Sequence, residues 1–553
     1  MTSIILPTNQ VYPIQFTRHP SWPAGPFILA LCLGLFLGQG TALQAATGQL
    51  EVTVIDKDTG QPIPCRMHLL TAKGQPRRVE KVPFWNDHFA LPGKLMLKLP
   101  LGNYTFVLER GLEYLDQSGN FTINVFADDS KQIELRRFVD MAAEGWFSGD
   151  MDIRRPASEI ELLMQADDLH VGEVVTWGNE KSTAKEKSPT KEQPEAKDKK
   201  QAKDKKETKE SKGNLVTFDT NRCYQLLAGM ESVSGSEIIF HRLSAPLKLE
   251  GAGKQLQSLI PSAIEARKQK DAWIEIANPA SWDLPALIAL NLADSIQLAG
   301  SRLCREKAVA DEGGSRPRDK KRYPDPYGSA QWSQEIYFRL LECGLRIPPT
   351  AGSGSGAAPN PVGYNRVYVN VHGEFSYDAW WDNLREGRAF ITNGPLMRVS
   401  VEGRPPGHVF AAAKGEKLEF EIALTLSTRE EIHYLEIVKN GGVEKSIRMD
   451  EYIEDVKNNK LPKIEFKESG WFLVRAVCDS PKSYHFALTA PYYVAIGDQP
   501  RVSKKAAQFF LDWVNERAKQ IKLDDPEQQK EILEYHRKAR DYWKKLVETA
   551  NAE

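Results

Sequence analysis

The sequence predicts a multidomain protein of mixed class, α/β plus all-β: one α/β layer or barrel, two β-sandwiches and a terminal helical pair. Three observations carry this. The chain has 553 residues, several times the usual domain size of roughly 100–200. Apolar residues alternate with period two in two separate stretches, residues 48–138 and 396–496. Between them, short apolar strands alternate with amphipathic helices, the pattern of a largely parallel sheet.

Residues 1–46 read as a signal peptide. Arg18 and His19 precede the apolar run "FILALCLGLFL" at 27–37, and the small-residue stretch "GQGTALQAA" follows, placing cleavage near Ala45 or Ala46. At about 1.5 Å per residue that run falls short of a hydrocarbon core of about 30 Å. No later segment is apolar enough to span a bilayer, so an exported protein, periplasmic or extracellular, is expected to have no integral span after cleavage. An uncleaved anchor is the competing reading. Against 74 acidic side chains stand 73 basic ones, which leaves no global field to attract nucleic acid. Of six cysteines, Cys32 lies in the signal, while Cys65, Cys223, Cys304, Cys343 and Cys478 are scattered. That set suits neither a disulfide framework nor a structural zinc site.

Residues 47–140 are expected to form the first sandwich. "QLEVTV", then Leu95, Leu97 and Leu99, then Tyr104, Phe106 and Leu108, then Phe121, Ile123 and Val125 alternate between turn signals such as "DKDTG" and "PLGNY". Residues 141–395 form the α/β domain, with strands at "VGEVVTW", "EIIF", "AWIEIAN", "SIQLAG" and "RVYVNV". "SEIE" and "SAIE" are expected capping boxes. In such folds the ligand site gathers at the C-terminal ends of the strands, which points to Asp150, Thr176, Glu275 and Ala299. An insertion at 181–213 carries twelve lysines against seven acids, net 12 − 7 = +5, and no apolar residue larger than alanine. Such a segment is expected to be a disordered surface loop. Residues 396–500 make the second sandwich, and 501–553 a helical hairpin whose Phe510, Trp513, Val514, Ile532, Trp543 and Leu546 recur at three-four spacing.

Five stretches of the α/β region carry a family likeness: "GWFSGDMDIRRP", "GMESVSG", "LLECGLRIPPTAGSGSG", "NPVGYNRVYVNV" and "LREGRAFITNGPLMRVSVEGRPPG". In them the chain resembles the polymerase and histidinol phosphatase (PHP) superfamily, and within it the CehA/McbA-like metallohydrolases, over roughly residues 145–407. The resemblance implies a distorted α/β barrel and a site for two or three divalent metals such as Mn, Zn or Fe. It also shows departures. The first family strand reads G-D-L-H-x-H, and its two imidazole positions hold Asp152 and Arg154 here. A guanidinium donates only and cannot ligate a metal. T-D-H-N is replaced by "TWGN" at 176–179, a ligand histidine before proline by Asn278, and S-D-x-H by "SGSG" at 353–356.

Asp150, Asp152 and Glu231 remain as candidate catalytic carboxylates. Asp152, Glu231 and His241 are the candidate metal ligands, and Arg154, Arg155, Asn179 and Asn278 the candidate substrate contacts. The expected function is a metallohydrolase-like protein whose degenerate domain binds a small molecule or glycan, with divalent metal reduced or absent. The competing expectation is an active hydrolase of phosphoesters, esters or glycans. It would use a rearranged pocket of Asp150, Asp152, Glu231, Glu275 and Asp283, holding Ca²⁺ or Mg²⁺ or working by carboxylate acid/base chemistry. Exposed rings in "YDAWWDNL" and "YGSAQWSQEIYF" would suit sugar stacking, with one of Trp380 and Trp381 lining a cleft.

Overall fold

The structure is a computed structural model and describes residues 3–5, 47–125, 128–178, 210–212, 214–247, 257–448 and 461–553. The expected signal run at 27–37 and Asn179 lie outside these residues, as does nearly all of the lysine-rich insertion. Alternation in the first stretch produces two facing sheets. One orders Lys94–Pro100, Thr47–Asp56 and Asp128–Leu135; the other has five strands with Cys65–Thr71 at its centre. Their inward residues Val52, Val54, Met67, Leu69, Leu97 and Phe106 form a closed core. Val125, expected inside, is exposed.

The central sheet runs through β1 (Trp146–Ile153), β2 (Val171–Gly178), β3 (Arg222–Val233), β4 (Ser236–His241), β5 (Trp273–Ile276), β6 (Ser295–Ala299) and β7 (Pro349–Ala351). The pairs β1–β2, β2–β3, β5–β6 and β6–β7 are parallel, and β3–β4 and β4–β5 antiparallel. Beyond β7 the chain returns to β1, where Arg154 N donates to Ser355 O at 2.7 Å and Gly354 N to Asp152 O at 2.8 Å. Two further strands, β8 (Arg366–Asn370) and β9 (Ala389–Thr392), add antiparallel on the other side of β1. β9 then pairs with Phe486–Thr489, so hydrogen bonding runs unbroken into the second all-β region. The sequence predicts a boundary at 395/396, which this sheet crosses.

Helices α1 (Ile160–Ala166), α2 (Ile260–Ala266), α3 (Leu284–Ala289), α4 (Gly328–Glu342) and α5 (Tyr377–Arg385) cover this sheet. Neither expected capping box forms. Ser158 sits in a 3₁₀ turn ahead of α1, Ser262 lies inside α2, and neither start has a side-chain cap. α5 does have one, Ser376 Oγ accepting from Ala379 N at 3.1 Å. Glu210–Lys212, expected within the disordered insertion, instead pairs as a strand with Leu215–Thr217. Ser3–Ile5 pairs parallel with Thr425–Ser427, a contact that removal of residues 1–46 would take away.

The tail helices α6 (Lys504–Gln520) and α7 (Pro526–Thr549) start on capping Ser503 and Asp525. Phe510 stacks on Trp543 at 4.8 Å, and Trp543 Nε1 donates to Pro285 O at 2.9 Å, fixing the pair onto α3. No helix among the described residues is long and apolar enough to cross a membrane. All five described cysteines are buried and free.

Candidate functional site

The interior beneath β1, β4, β5 and β7 is where the sequence places chemistry; Asp150 and Asp152 are hydrogen-bonded there, while both ring nitrogens of His241, Glu173 Oε2 and Glu231 Oε2 are buried without a hydrogen bond. Asp150 is fully buried; Oδ1 accepts from Ser353 N (2.8 Å) and Asp152 N (3.0 Å), and Oδ2 from Gly363 N (2.7 Å). Burial outweighs these bonds and pushes its carboxyl up to about 7. Arg154 forks onto Asp152, Nε to Oδ1 and Nη2 to Oδ2, each at 2.8 Å, and so occupies both carboxylate oxygens. His241, also fully buried, lies with Nδ1 3.4 Å from Glu173 Oε2 and Nε2 3.9 Å from Glu275 Oε1. Burial disfavours the charged ring, but the two carboxylates prevail and raise its pKa to about 9. Gln297 Nε2 and Ser295 Oγ then close on Glu275, and Tyr377 OH on Glu173 at 2.6 Å.

This arrangement does not fit the metals of the resembling family. Glu231 stands opposite Ile238 on β4 while His241 stands opposite Trp273 on β5, and side chains alternate faces along a strand. Glu231 and His241 therefore point to opposite faces of the sheet. Burial also lifts the Glu231 carboxyl, on the side where α2 brings Ser262. The two ring nitrogens of His241 face two different carboxylates, so no single point receives Asp152, Glu231 and His241 together.

The other expected contacts disperse as well. Arg155 pairs with Glu159 (2.6 Å) and stacks 4.9 Å over Trp85, tying the first sandwich to the α/β region. Asn278 Oδ1 accepts from Ala280 N, and with Gln297 it lines a cavity of about 30 Å³, room for roughly one water. Asp283 lies at the tail interface, bound to Arg517 Nε at 3.0 Å, so no pocket of five acids exists. Thr176 is exposed, its hydroxyl donating to Leu226 O. Trp380 and Trp381 are both fully buried, Trp380 Nε1 donating to Phe147 O at 2.9 Å, and neither lines a cleft.

A different site was missed from the sequence. A cleft of about 620 Å³ opens between the α/β region and the second all-β region, lined by Arg346, Arg385, Arg388, Arg404, His372 and His408 against one carboxylate, Glu386. Two loops make it. Gly387 (φ 72°) and Gly407 (φ 83°) meet backbone to backbone, and a Cβ on Gly407 would lie 2.0 Å from Glu386 O, so only glycine admits this approach. Arg388 pairs with Glu386 at 2.6 Å and Arg385 with Asp382 at 3.0 Å. Arg346 and Arg404 are exposed and have no carboxylate partner among the described residues; Arg346 lies 5.1 Å over the Tyr493 ring. The field is felt at His408, whose pKa is lowered by burial and then by Arg404 and Arg388.

A second cleft of about 320 Å³ also holds arginines. There Arg66 and Arg366 are tied to Asp167, Arg305 to Glu109 and Arg429 to Asp116, so its charge is internally balanced. Three arginines of the larger cleft, Arg385, Arg388 and Arg404, sit in the quoted stretch "LREGRAFITNGPLMRVSVEGRPPG". Their convergence with Arg346 depends on the loop contact, which no spacing announces.

No protein-family model and no curated protein matches the chain. Among solved structures, the Bacillus anthracis TIE protein matches 20% of this chain and 19% of its own length, with 17% identity and a TM-score of 0.14. That overlap carries no argument about fold or function.

Proposed function

We propose that this chain is an exported, PHP-like protein in which capture of an anionic glycan, carboxylated or sulfated, has replaced metal-dependent hydrolysis. The observation that carries the reading is the cleft of about 620 Å³ in which Arg346 and Arg404 have no carboxylate partner among the described residues, beside Arg385 and Arg388 that are paired with Asp382 and Glu386. Guanidinium groups bind carboxylates and sulfates through charge-assisted hydrogen bonds. Pro405 and the part-exposed Tyr493, whose ring carries Arg346 at 5.1 Å, add apolar surface beside the arginines. The interior supports the loss of hydrolysis, because Arg154 and His241 supply there the positive charge that metals supply in the resembling family.

The reading is tested by calorimetric titration of the chain from Ala46 with dextran sulfate and with neutral dextran. The sulfated polymer alone is expected to bind. Each of Arg346→Ala and Arg404→Ala should weaken it about tenfold, as loss of a charge-assisted bond of about 1.5 kcal/mol predicts. Equal affinity for both polymers would remove the proposal.

A further inference from the structure

Three side chains of the first sandwich converge in a way that the cleft does not use. His68 projects from the central strand Cys65–Thr71. Asp87 and His88 come from the tight hairpin joining Phe84–Trp85 to His88–Leu91, where Asn86 takes φ 52°. Trp85 Nε1 donates to Ala358 O at 2.9 Å, which anchors that hairpin to the α/β region. One potential ligand atom from each of the three residues lies within 4.8 Å of the other two, and among the described residues no other group of three or more His, Cys, Asp or Glu does so.

We propose that His68, Asp87 and His88 form a binding site for one divalent transition metal, with Zn²⁺ as the natural probe. Both Nδ1 atoms turn toward the same carboxylate, His68 Nδ1 3.2 Å from Asp87 Oδ2 and His88 Nδ1 3.0 Å from Asp87 Oδ1. Ligand atoms about 2.0–2.1 Å from a tetrahedral zinc stand about 3.3 Å apart, so these two spacings need only small shifts to admit an ion, as does the 4.8 Å bound on the whole set. The outer contacts match too. His68 Nε2 faces Glu109 Oε2 at 3.4 Å, so when the metal displaces from Nδ1 the proton it now directs at Asp87, Nε2–H keeps a carboxylate beside it. Two imidazoles and one carboxylate suit zinc and its neighbours rather than Ca²⁺ or Mg²⁺.

Positive charge nearby comes from Arg66 and Arg305. Arg66 is held by Glu109 and Asp167. Arg305 lies 3.4 Å from Asp87 and keeps Glu109 and Glu306 if it yields that contact. Both histidines are buried, while the Asp87 side chain is 28% exposed and gives the ion a way in and a solvent-facing fourth position. The metal would staple the hairpin to the central strand.

The test uses the full mature chain. After equilibration with Zn²⁺ and gel filtration, elemental analysis is expected to find one equivalent that His68→Gln or His88→Gln reduces at least a hundredfold in affinity. Glu109→Gln should reduce it about tenfold, and His433→Gln, an exposed control, should leave it unchanged. Co²⁺ should give the intense visible bands of a tetrahedral site, and Zn²⁺ should raise Tm reversibly with chelator. These wild-type readouts stand even if a variant fails to fold. No bound equivalent with an unmoved Tm, or the same stoichiometry in the histidine variants, would overturn the proposal and leave a plain hydrogen-bonded network.

Discussion

At His241 the fold has placed a fully buried imidazole between Glu173 and Glu275, and its charge state sets a pH dependence. Its pKa is raised from 6.5 to about 9, so the stability it contributes is fully present below pH 6.5 and is lost as pH rises through about 9. Thermal unfolding across pH 6–9.5 should therefore show Tm falling in the wild type and a flatter profile in His241→Gln. The variant should lose about 3–5 kcal/mol at pH 6, because two buried carboxylates are left without a counter-charge. Asp150 acts in a lower window. Its pKa is raised from 3.8 to about 7, so its contribution is present below pH 3.8 and lost as pH rises through 7. Asp150→Asn should remove that slope but cost about 1–3 kcal/mol at pH 4, since an amide NH₂ would meet one of the backbone N–H groups that the carboxylate accepts. That position 154 cannot ligate a metal was legible from the sequence, because an arginine excludes a ligand whatever the fold. His241 and Glu275 were already candidates in the sequence, but their convergence with Glu173 was not legible, since the three lie on separate strands.

Among elements, strands were easier to read than helix ends. "VGEVVTW", "EIIF", "AWIEIAN", "SIQLAG" and "RVYVNV" all lie on strands, because a buried strand needs a compact run of apolar residues. The twelve-residue β3 was seen only as the motif "GMES", its polar half masking the pattern. Capping boxes misled at Ser158, which falls in a 3₁₀ turn ahead of α1, and at Ser262, where Leu259 N at the start of α2 donates to Asp283 Oδ2 instead. The tail was legible as an amphipathic pair, but its docking was not. Arg517 reaches Asp283 at 3.0 Å and both are buried, so Arg517→Ala should cost about 3–5 kcal/mol in chemical denaturation. Arg517→Lys should recover only part of that, because a point charge cannot reproduce the fork onto Asp283 and Gln257 O.

At the scale of the whole molecule, the near-zero net charge hides a local imbalance. Composition excluded a global field correctly in arithmetic, yet Arg346, Arg385, Arg388 and Arg404 are brought together by loops from two regions that one continuous sheet holds in fixed relation. The proposed ligand site is this cleft and not the filled interior. The most direct test is the affinity of the chain from Ala46 for dextran sulfate at 50 mM and 200 mM salt, beside the Arg346→Ala/Arg404→Ala double variant. Affinity should fall severalfold or more with salt in the wild type, and by about a hundredfold between wild type and double variant at low salt. Binding that is insensitive to both salt and the two substitutions would contradict the account.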